Sequence, residues 1–265
     1  MTYRSWGDPA LPDDCDIPAE VVTVGRVARD VLSVVLRPSR RWRGFGAGQY
    51  VRLAARVEGA RRTRCYPLAG SQHRADGRIE LAVQVGGNRC LSRHLERVRP
   101  GAVLELSRAR GGFTLPKRRP RHLLLIGAEC GIVPLLSMLR TLADECHTGA
   151  VALLHYAGAD GEVPYREELV RLRDTCPGFQ VSYAHPDRHG PFSPAHLLAA
   201  APWYPEAETY LCAGAVLNDA VRRMYRDTAL DHRLHTGETV PVPRPRPTSW
   251  RGSRRAWWQI ALQRA

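Results

Sequence analysis

The stretch HLLLIGAECGIVPLLSMLRTLADEC, residues 122–146, decides the fold. Its first part, HLLLIG (122–127), is a continuous apolar run, as expected of a strand buried on both faces. Its last part, PLLSMLRTLADEC (134–146), puts Leu135, Leu139 and Leu142 on one helical face. Between them lie small residues from Gly127 to Gly131 that let the chain turn sharply. A helix that starts right after a buried strand offers free N–H groups and the positive end of its dipole. At the carboxyl end of the first strand of an α/β sheet, that is a place for a diphosphate. The pattern is not G-x-G-x-x-G, so by itself it is equally a plain tight turn, and Glu129 is an unhelpful neighbour for an anion.

Downstream the same rhythm repeats. VALLHYAG (151–158), FQVSYAH (179–185) and ETYLCAG (208–214) read as strands. YREELVRLRD (165–174), PAHLLAAA (194–201) and LNDAVRRMYRD (217–227) read as helices. Strands alternating with helices predict a doubly wound parallel sheet. Cys212 and Gly214, at the end of the fourth strand, fall on the same sheet edge as the first turn, where such folds bind ligands. Cys212 is equally a small buried residue.

Upstream the texture differs. AEVVTVGRVA (19–28), VLSVVLRP (31–38), QYVRLAARV (49–57), ARRTRCYPLAG (60–70), RIELAVQV (78–85) and AVLELSRA (102–109) are short and rich in Val and Leu. Glu58-Gly59 and Asp76-Gly77 sit where hairpin turns belong. One helix, LSRHLERV (91–98), stops before Pro100-Gly101. Six such strands predict an antiparallel barrel. The expected division is an N-terminal arm (1–18), a barrel (19–116), a parallel-sheet domain beginning in the linker PKRRPR (117–238), and a Pro- and Arg-rich tail (239–265).

Apolar residues make up 44% of the 265-residue chain, enough for a real core. No run approaches the roughly 18 apolar residues of a membrane span. The start shows no basic-then-apolar leader, which predicts a cytoplasmic protein. The seven cysteines contain no C-x-x-C pair, so no disulfide framework, zinc site or iron–sulfur site is expected. The net charge is +13, and all but one of the 39 basic residues are Arg. The excess concentrates in residues 1–120, with 23 basic against 11 acidic residues, whereas residues 121–235 carry 10 against 14. Without a helix-turn-helix, a zinc finger or basic–aromatic interleaving before the tail, the charge points to an acidic protein partner rather than to nucleic acid. The tail, with Arg244 to Arg255 and Trp250, Trp257 and Trp258, reads as an extension with a short amphipathic end. A terminal Trp folded over a bound ring is the other reading.

Taken in order, these segments resemble the ferredoxin–NADP reductase superfamily, and within it the bacterial reductases that serve desaturases and oxygenases. WRGFGAGQYVRL (42–53) is similar to the strand before the family's flavin motif. ARRTRCYPLAGS (60–71) is similar to its R-x-Y-S signature, and GGNRCLSRHL (86–95) to its G-x-x-S-x-x-L flavin-phosphate segment. LLLIGAECGIVPLLSMLRTL (123–142) resembles its G-x-G-I-T-P segment, and ETYLCAGAVLNDAV (208–221) its C-G-P-P segment.

The resemblance implies that Arg64 faces flavin phosphates and that Tyr66 stacks on the isoalloxazine. It implies that Gly87, Leu91 and Ser92 serve the flavin pyrophosphate, and that Gly127, Cys130, Gly131 and Pro134 shape the dinucleotide site. Cys212, near the nicotinamide, and Tyr66 are the implied catalytic pair. Cys65, Pro67, Val83, Val85, Cys90 and Gly214 complete the expected cofactor-binding set, and no metal is expected. The implied cofactors are FAD, with NADH or NADPH as co-substrate. The implied partner is a separate acidic ferredoxin-like protein or an oxygenase, with no nucleic acid and no membrane, and a monomer is the family default. An iron–sulfur domain of the kind many relatives carry is not encoded in these residues.

Three departures stand out. The family's Ser is Pro67, which has neither a side-chain donor nor an N–H. The two hydroxyl residues of the nicotinamide turn are Cys130 and Val133, and the Gly-Pro-Pro after Cys212 is Ala213-Gly214-Ala215. Pro67 and Glu129 motivate an alternative in which the flavin scaffold persists and the nicotinamide reaction is lost. Asp160, without a neighbouring Arg at the turn tip, leans towards the free ribose hydroxyl of NADH.

Overall fold

A computed structural model describes residues 14–85, 90–157 and 162–238. The expectations for the N-terminal arm before residue 14, the tail from 239, Gly87 and Asp160 lie outside these described residues.

Six strands form the first sheet: β1 (Ile17–Ala28), β2 (Val31–Pro38), β3 (Tyr50–Val57), β4 (Ala60–Pro67), β5 (Ile79–Gln84) and β6 (Val103–Leu106). The order is β4-β3-β6-β1-β2-β5 and every pairing is antiparallel. A bridge between Leu68 and Leu81 joins the end of β4 to β5 and closes the sheet on itself, as the sequence predicts. Along β1, Ile17, Ala19 and Val21 point inwards while Pro18 and Glu20 face out, the period of two of a half-buried strand. They meet Val34, Leu36, Val51, Leu53, Leu81 and Leu106 in the barrel core. The β3–β4 hairpin turns on Glu58 and Gly59, both at positive φ (51° and 76°), as a tight two-residue loop requires. The helix α1 (Cys90–Arg97) plugs the barrel with Leu91 and Leu95.

The second unit alternates strand and helix: β7 (His122–Ala128), α2 (Ile132–Asp144), β8 (Ala150–Tyr156), α3 (Arg166–Thr175), β9 (Phe179–Ala184), α4 (Pro186–His189), α5 (Pro194–Ala200), β10 (Glu208–Ala213), α6 (Ala215–Asp227) and β11 (Leu234–Glu238). All pairings are parallel, in the order β11-β10-β7-β8-β9. Leu123 to Ile126 are fully buried because β7 is central. Leu123 and Leu125 pack under α2 and α3, and Leu124 and Ile126 pack with residues of α5 and α6. The chain order reverses between β7 and β10, so the switch point where such sheets bind ligands lies at Gly127 and Cys212, which are register partners.

The two units share one apolar seam. Val31, Ala47, Ala69 and Ala82 of the barrel join Leu135, Met138 and Leu139 of α2. Gly48 permits it: its φ is +98°, and a Cβ there lands 2.2 Å from the Phe113 carbonyl oxygen and 2.7 Å from Met138 Cε. Among the described residues no helix is long and apolar enough to cross a membrane, and no cluster of His, Cys, Asp or Glu is placed to hold a metal. All seven cysteines are free.

Candidate functional site

One half of the candidate site is built where β7 and β10 end. After Ala128 the chain makes a 3₁₀ turn, Glu129–Gly131, and enters α2. Glu129 takes the left-handed conformation (φ 51°) that a non-glycine residue adopts at a cost of about 1 kcal/mol, and it is exposed. Glycine is needed at two places in this turn. A Cβ on Gly127 lies 2.9 Å from Leu135 Cδ1, and one on Gly131 lies 1.9 Å from the Cys212 carbonyl oxygen. The first turn and the end of β10 are therefore in backbone contact. Neither α2 nor α6 has a side-chain cap or an acidic residue in its first turn, so both present positive ends to this edge. Pro134, in the first turn of α2, is buried. Asn218 Nδ2 donates to the Ala213 carbonyl at 2.8 Å and fixes the turn after Cys212. Gly214 faces open space, and Val216 is 64% exposed beside it.

Cys212 is buried, and burial pushes its thiol far above the ordinary value, with Cys130 adding to the rise. It is a neutral thiol, not a nucleophile. Cys130 is half-buried. Beneath the turn sits His155 of β8, which sequence reasoning missed. It is fully buried, neither ring nitrogen has a partner among the described residues, and desolvation pushes it down to about 4. Its only sequence signal was one polar letter in the apolar run VALLHY.

The barrel half lies on β4 and α1, which pack side by side. Tyr66 is buried in the barrel cluster across from Val51. Arg64, two residues earlier, shares its face; it is half-buried and has no ion-pair partner among the described residues. Ser92, in the first turn of α1, is fully buried with an Oγ that has no partner among the described residues. A cation and a hydroxyl donor without partners among the described residues suit an anion such as a diphosphate. Pro67 ends β4 half-buried, opposite Tyr50.

Four expected binding residues are placed differently. Cys65 faces away from Tyr66, because neighbours on a strand alternate. It looks towards Arg52, Arg110 and Asp14, where Asp14 pairs with both arginines, and burial pushes its thiol up. Val83 is fully buried in the barrel core, so its side chain serves packing. Val85 is also buried in that cluster, and its N–H donates to the Asp30 carbonyl at 2.7 Å. Cys90 is exposed, whereas Leu91 and Ser92 of the same turn are buried. The structure thus groups Arg64, Tyr66, Leu91 and Ser92 on the barrel, and Gly127, Cys130, Gly131, Cys212 and Gly214 at the sheet's switch point.

Residues 18–115 match the family model of the oxidoreductase FAD-binding domain. An NADPH oxidoreductase of Mycobacterium tuberculosis is 28% identical over 246 residues, covering 86% of this chain and 64% of that protein. Ferredoxin–NADP reductase B of Sorangium cellulosum is 33% identical over 130 residues, 48% of this chain and 52% of its own length. The FAD/NAD-binding domain of nitric oxide dioxygenase from Vibrio cholerae superposes with a TM-score of 0.73 at 22% identity, covering 85% of this chain and 99% of that one. The chain spans about half to two thirds of the length of the curated relatives it matches. An antiparallel barrel that matches the oxidoreductase FAD-binding domain over residues 18–115, followed by a parallel sheet in the order β11-β10-β7-β8-β9, gives this chain the two-unit fold of the FAD/NAD-binding domain on which it superposes.

Proposed function

We propose that the protein is a flavin-dependent reductase that takes hydride from NADH or NADPH onto bound FAD and delivers electrons to a separate iron–sulfur protein or oxygenase. The observation that carries this reading is a pair of polar groups on the barrel that have no ion-pair or hydrogen-bond partner among the described residues: the Arg64 guanidinium and the buried Ser92 hydroxyl. They fit the FAD diphosphate. FAD, when bound, supplies a two-electron acceptor that can release its electrons one at a time. Arg64 and Ser92 neutralise and orient the phosphates, and Tyr66 presents an aromatic wall to the ring. The bare ends of α2 and α6 receive the nucleotide phosphates, with Gly214 allowing close approach and Gly131 letting the first turn close on β10. Cys212, kept protonated by burial, lines the nicotinamide site without competing as a nucleophile. The boundaries near residues 19, 116 and 238 divide flavin-binding from nucleotide-binding work.

The acceptor is a proposal from charge and kinship. One named relative is a ferredoxin–NADP reductase, and another is the FAD/NAD-binding domain of a nitric oxide dioxygenase. The excess of Arg in residues 1–120 favours an acidic docking partner.

A second reading, a flavin scaffold without the nicotinamide reaction, rests on Pro67. In the family pattern a Ser hydroxyl at this place hydrogen-bonds near the hydride-accepting nitrogen. Pro67→Ser is therefore expected to raise the rate of flavin reduction on the order of tenfold to a hundredfold, read by anaerobic stopped-flow. An unchanged rate means that residue 67 takes no part in the transfer. The experiment that separates the two readings is anaerobic addition of NADH or NADPH to the FAD-loaded protein. Prompt bleaching supports the reductase. A yellow protein indifferent to both nucleotides supports the second reading.

A further inference from the structure

One residue that no motif marks ties the two half-sites together. Arg140 lies on α2, the helix whose first turn forms the nucleotide site, and its side chain is only 16% exposed. Its guanidinium is divided between the domains. Nε and Nη2 hold both carboxylate oxygens of Glu168 on α3 at 2.6 Å each. That bidentate grip locks the fork and aims Nη1 at the barrel. There Nη1 donates to the Ala69 carbonyl at 2.9 Å and to Glu80 Oε2 of β5 at 2.7 Å. Glu80 is held in turn by Ser33 Oγ at 2.7 Å, and the Ala69 N–H donates to the Glu80 carbonyl at 2.8 Å. The Tyr165 ring covers the guanidinium, 5.3 Å from its centroid.

Ala69 is three residues after Tyr66, in the segment just beyond the end of β4. Two neighbours of Arg140 on the same helical face grip the same segment. Ser137 Oγ donates to the Gly70 carbonyl at 2.7 Å, and the Gln72 N–H donates to Thr141 Oγ1 at 3.2 Å. Positions 137, 140 and 141 have the spacing of one helix face. From Ile132 to Arg140 the helix rises about 12 Å as a rigid rod. A buried ion pair adds little net stability, but it fixes direction. Burying a cation between two carboxylates at this seam therefore makes sense as a device for geometry.

We propose that Arg140 is a positioning residue that sets the separation between the nicotinamide and the flavin ring, by fixing α2 against the Ala69–Gln72 segment. The inference rests on the reductase reading above. Misplacement by about 1 Å costs up to a hundredfold in a transfer between two bound groups.

The test compares wild type with Arg140→Gln and Arg140→Lys, FAD-loaded and anaerobic. Arg140→Gln is expected to slow flavin reduction at saturating nucleotide on the order of tenfold or more. It is also expected to lose the long-wavelength charge-transfer absorbance of the flavin–nicotinamide pair, while FAD content and nucleotide Kd stay unchanged. Arg140→Lys is expected to restore part of both signals. A folded Arg140→Gln with wild-type rate and charge-transfer band overturns the proposal, as does a loss confined to nucleotide Kd. Should that variant fail to fold, Ser137→Ala removes one of the three grips, and a several-fold slower transfer is expected; no change overturns the proposal. A wild-type flavin that neither nucleotide reduces overturns the parent reading, and this one with it.

Discussion

Gly131→Ala is expected to slow NAD(P)H-driven flavin reduction on the order of a hundredfold while leaving the barrel able to hold FAD. The cause is not backbone strain, because Gly131 has φ −62° and ψ −14°, values alanine adopts freely. The cause is contact. The added Cβ falls 1.9 Å from the Cys212 carbonyl oxygen and 2.7 Å from its carbon. Both belong to β10, which is paired to β7 on one side and β11 on the other and cannot yield locally. The turn and the strand end must part, which separates the two edges proposed above to receive the nicotinamide. Overpacking of this kind costs about 1–3 kcal/mol. Urea unfolding of the variant should show that loss, and stopped-flow should show the slow reduction. A variant that reduces its flavin at the wild-type rate would mean that the contact between the two turns does not shape the site.

The second large effect is on stability against acid. His155 is pushed down to about 4 in the folded protein, from 6.5, chiefly by burial, with His185 adding to the shift. Below 6.5 the unfolded chain takes up a proton that the folded chain refuses, so stability is present in full above 6.5 and falls as pH drops towards the folded value. Over that window the loss from this one group is about 3 kcal/mol. His155→Leu removes the titration together with two ring nitrogens that have no partner among the described residues. Urea midpoints measured at neutral pH and near pH 4 should show the wild type losing about 3 kcal/mol more than the variant. Equal losses would show that His155 is hydrated or paired in solution.

Much of this was legible in the letters. The run at 122–127, followed by small residues and a leucine face, specified the first strand, turn and helix, and β8, β9 and β10 followed from the same alternation. Six short Val- and Leu-rich segments specified the antiparallel sheet, and Glu58-Gly59 its hairpin. The strand β11 was not foreseen, because LHTGE offers one large apolar residue and an edge strand needs no more. The site was half legible. Motif order singled out Arg64, Tyr66, Ser92, Gly131 and Cys212 as expected site residues, and the two-residue period of β4 already implied that Cys65 turns away from Tyr66. Val83 was a core residue in a strand that reads as core. Arg140 was invisible because its partners lie 60 positions upstream and 28 downstream, and only folding brings them to one guanidinium. His155 was invisible for a related reason: a lone polar letter says nothing about whether its nitrogens find partners.

On the proposed function, a flavin held at Arg64, Tyr66 and Ser92 receives hydride from a nicotinamide held at Gly131 and Cys212. Anaerobic stopped-flow reduction of the FAD-loaded protein by NADH and NADPH, carrying deuterium or hydrogen at the transferable position, tests this directly. The prediction is prompt bleaching of the visible flavin band by at least one nucleotide, slower with deuterium. A protein that stays colourless after incubation with FAD, or a yellow one that neither nucleotide bleaches, contradicts it.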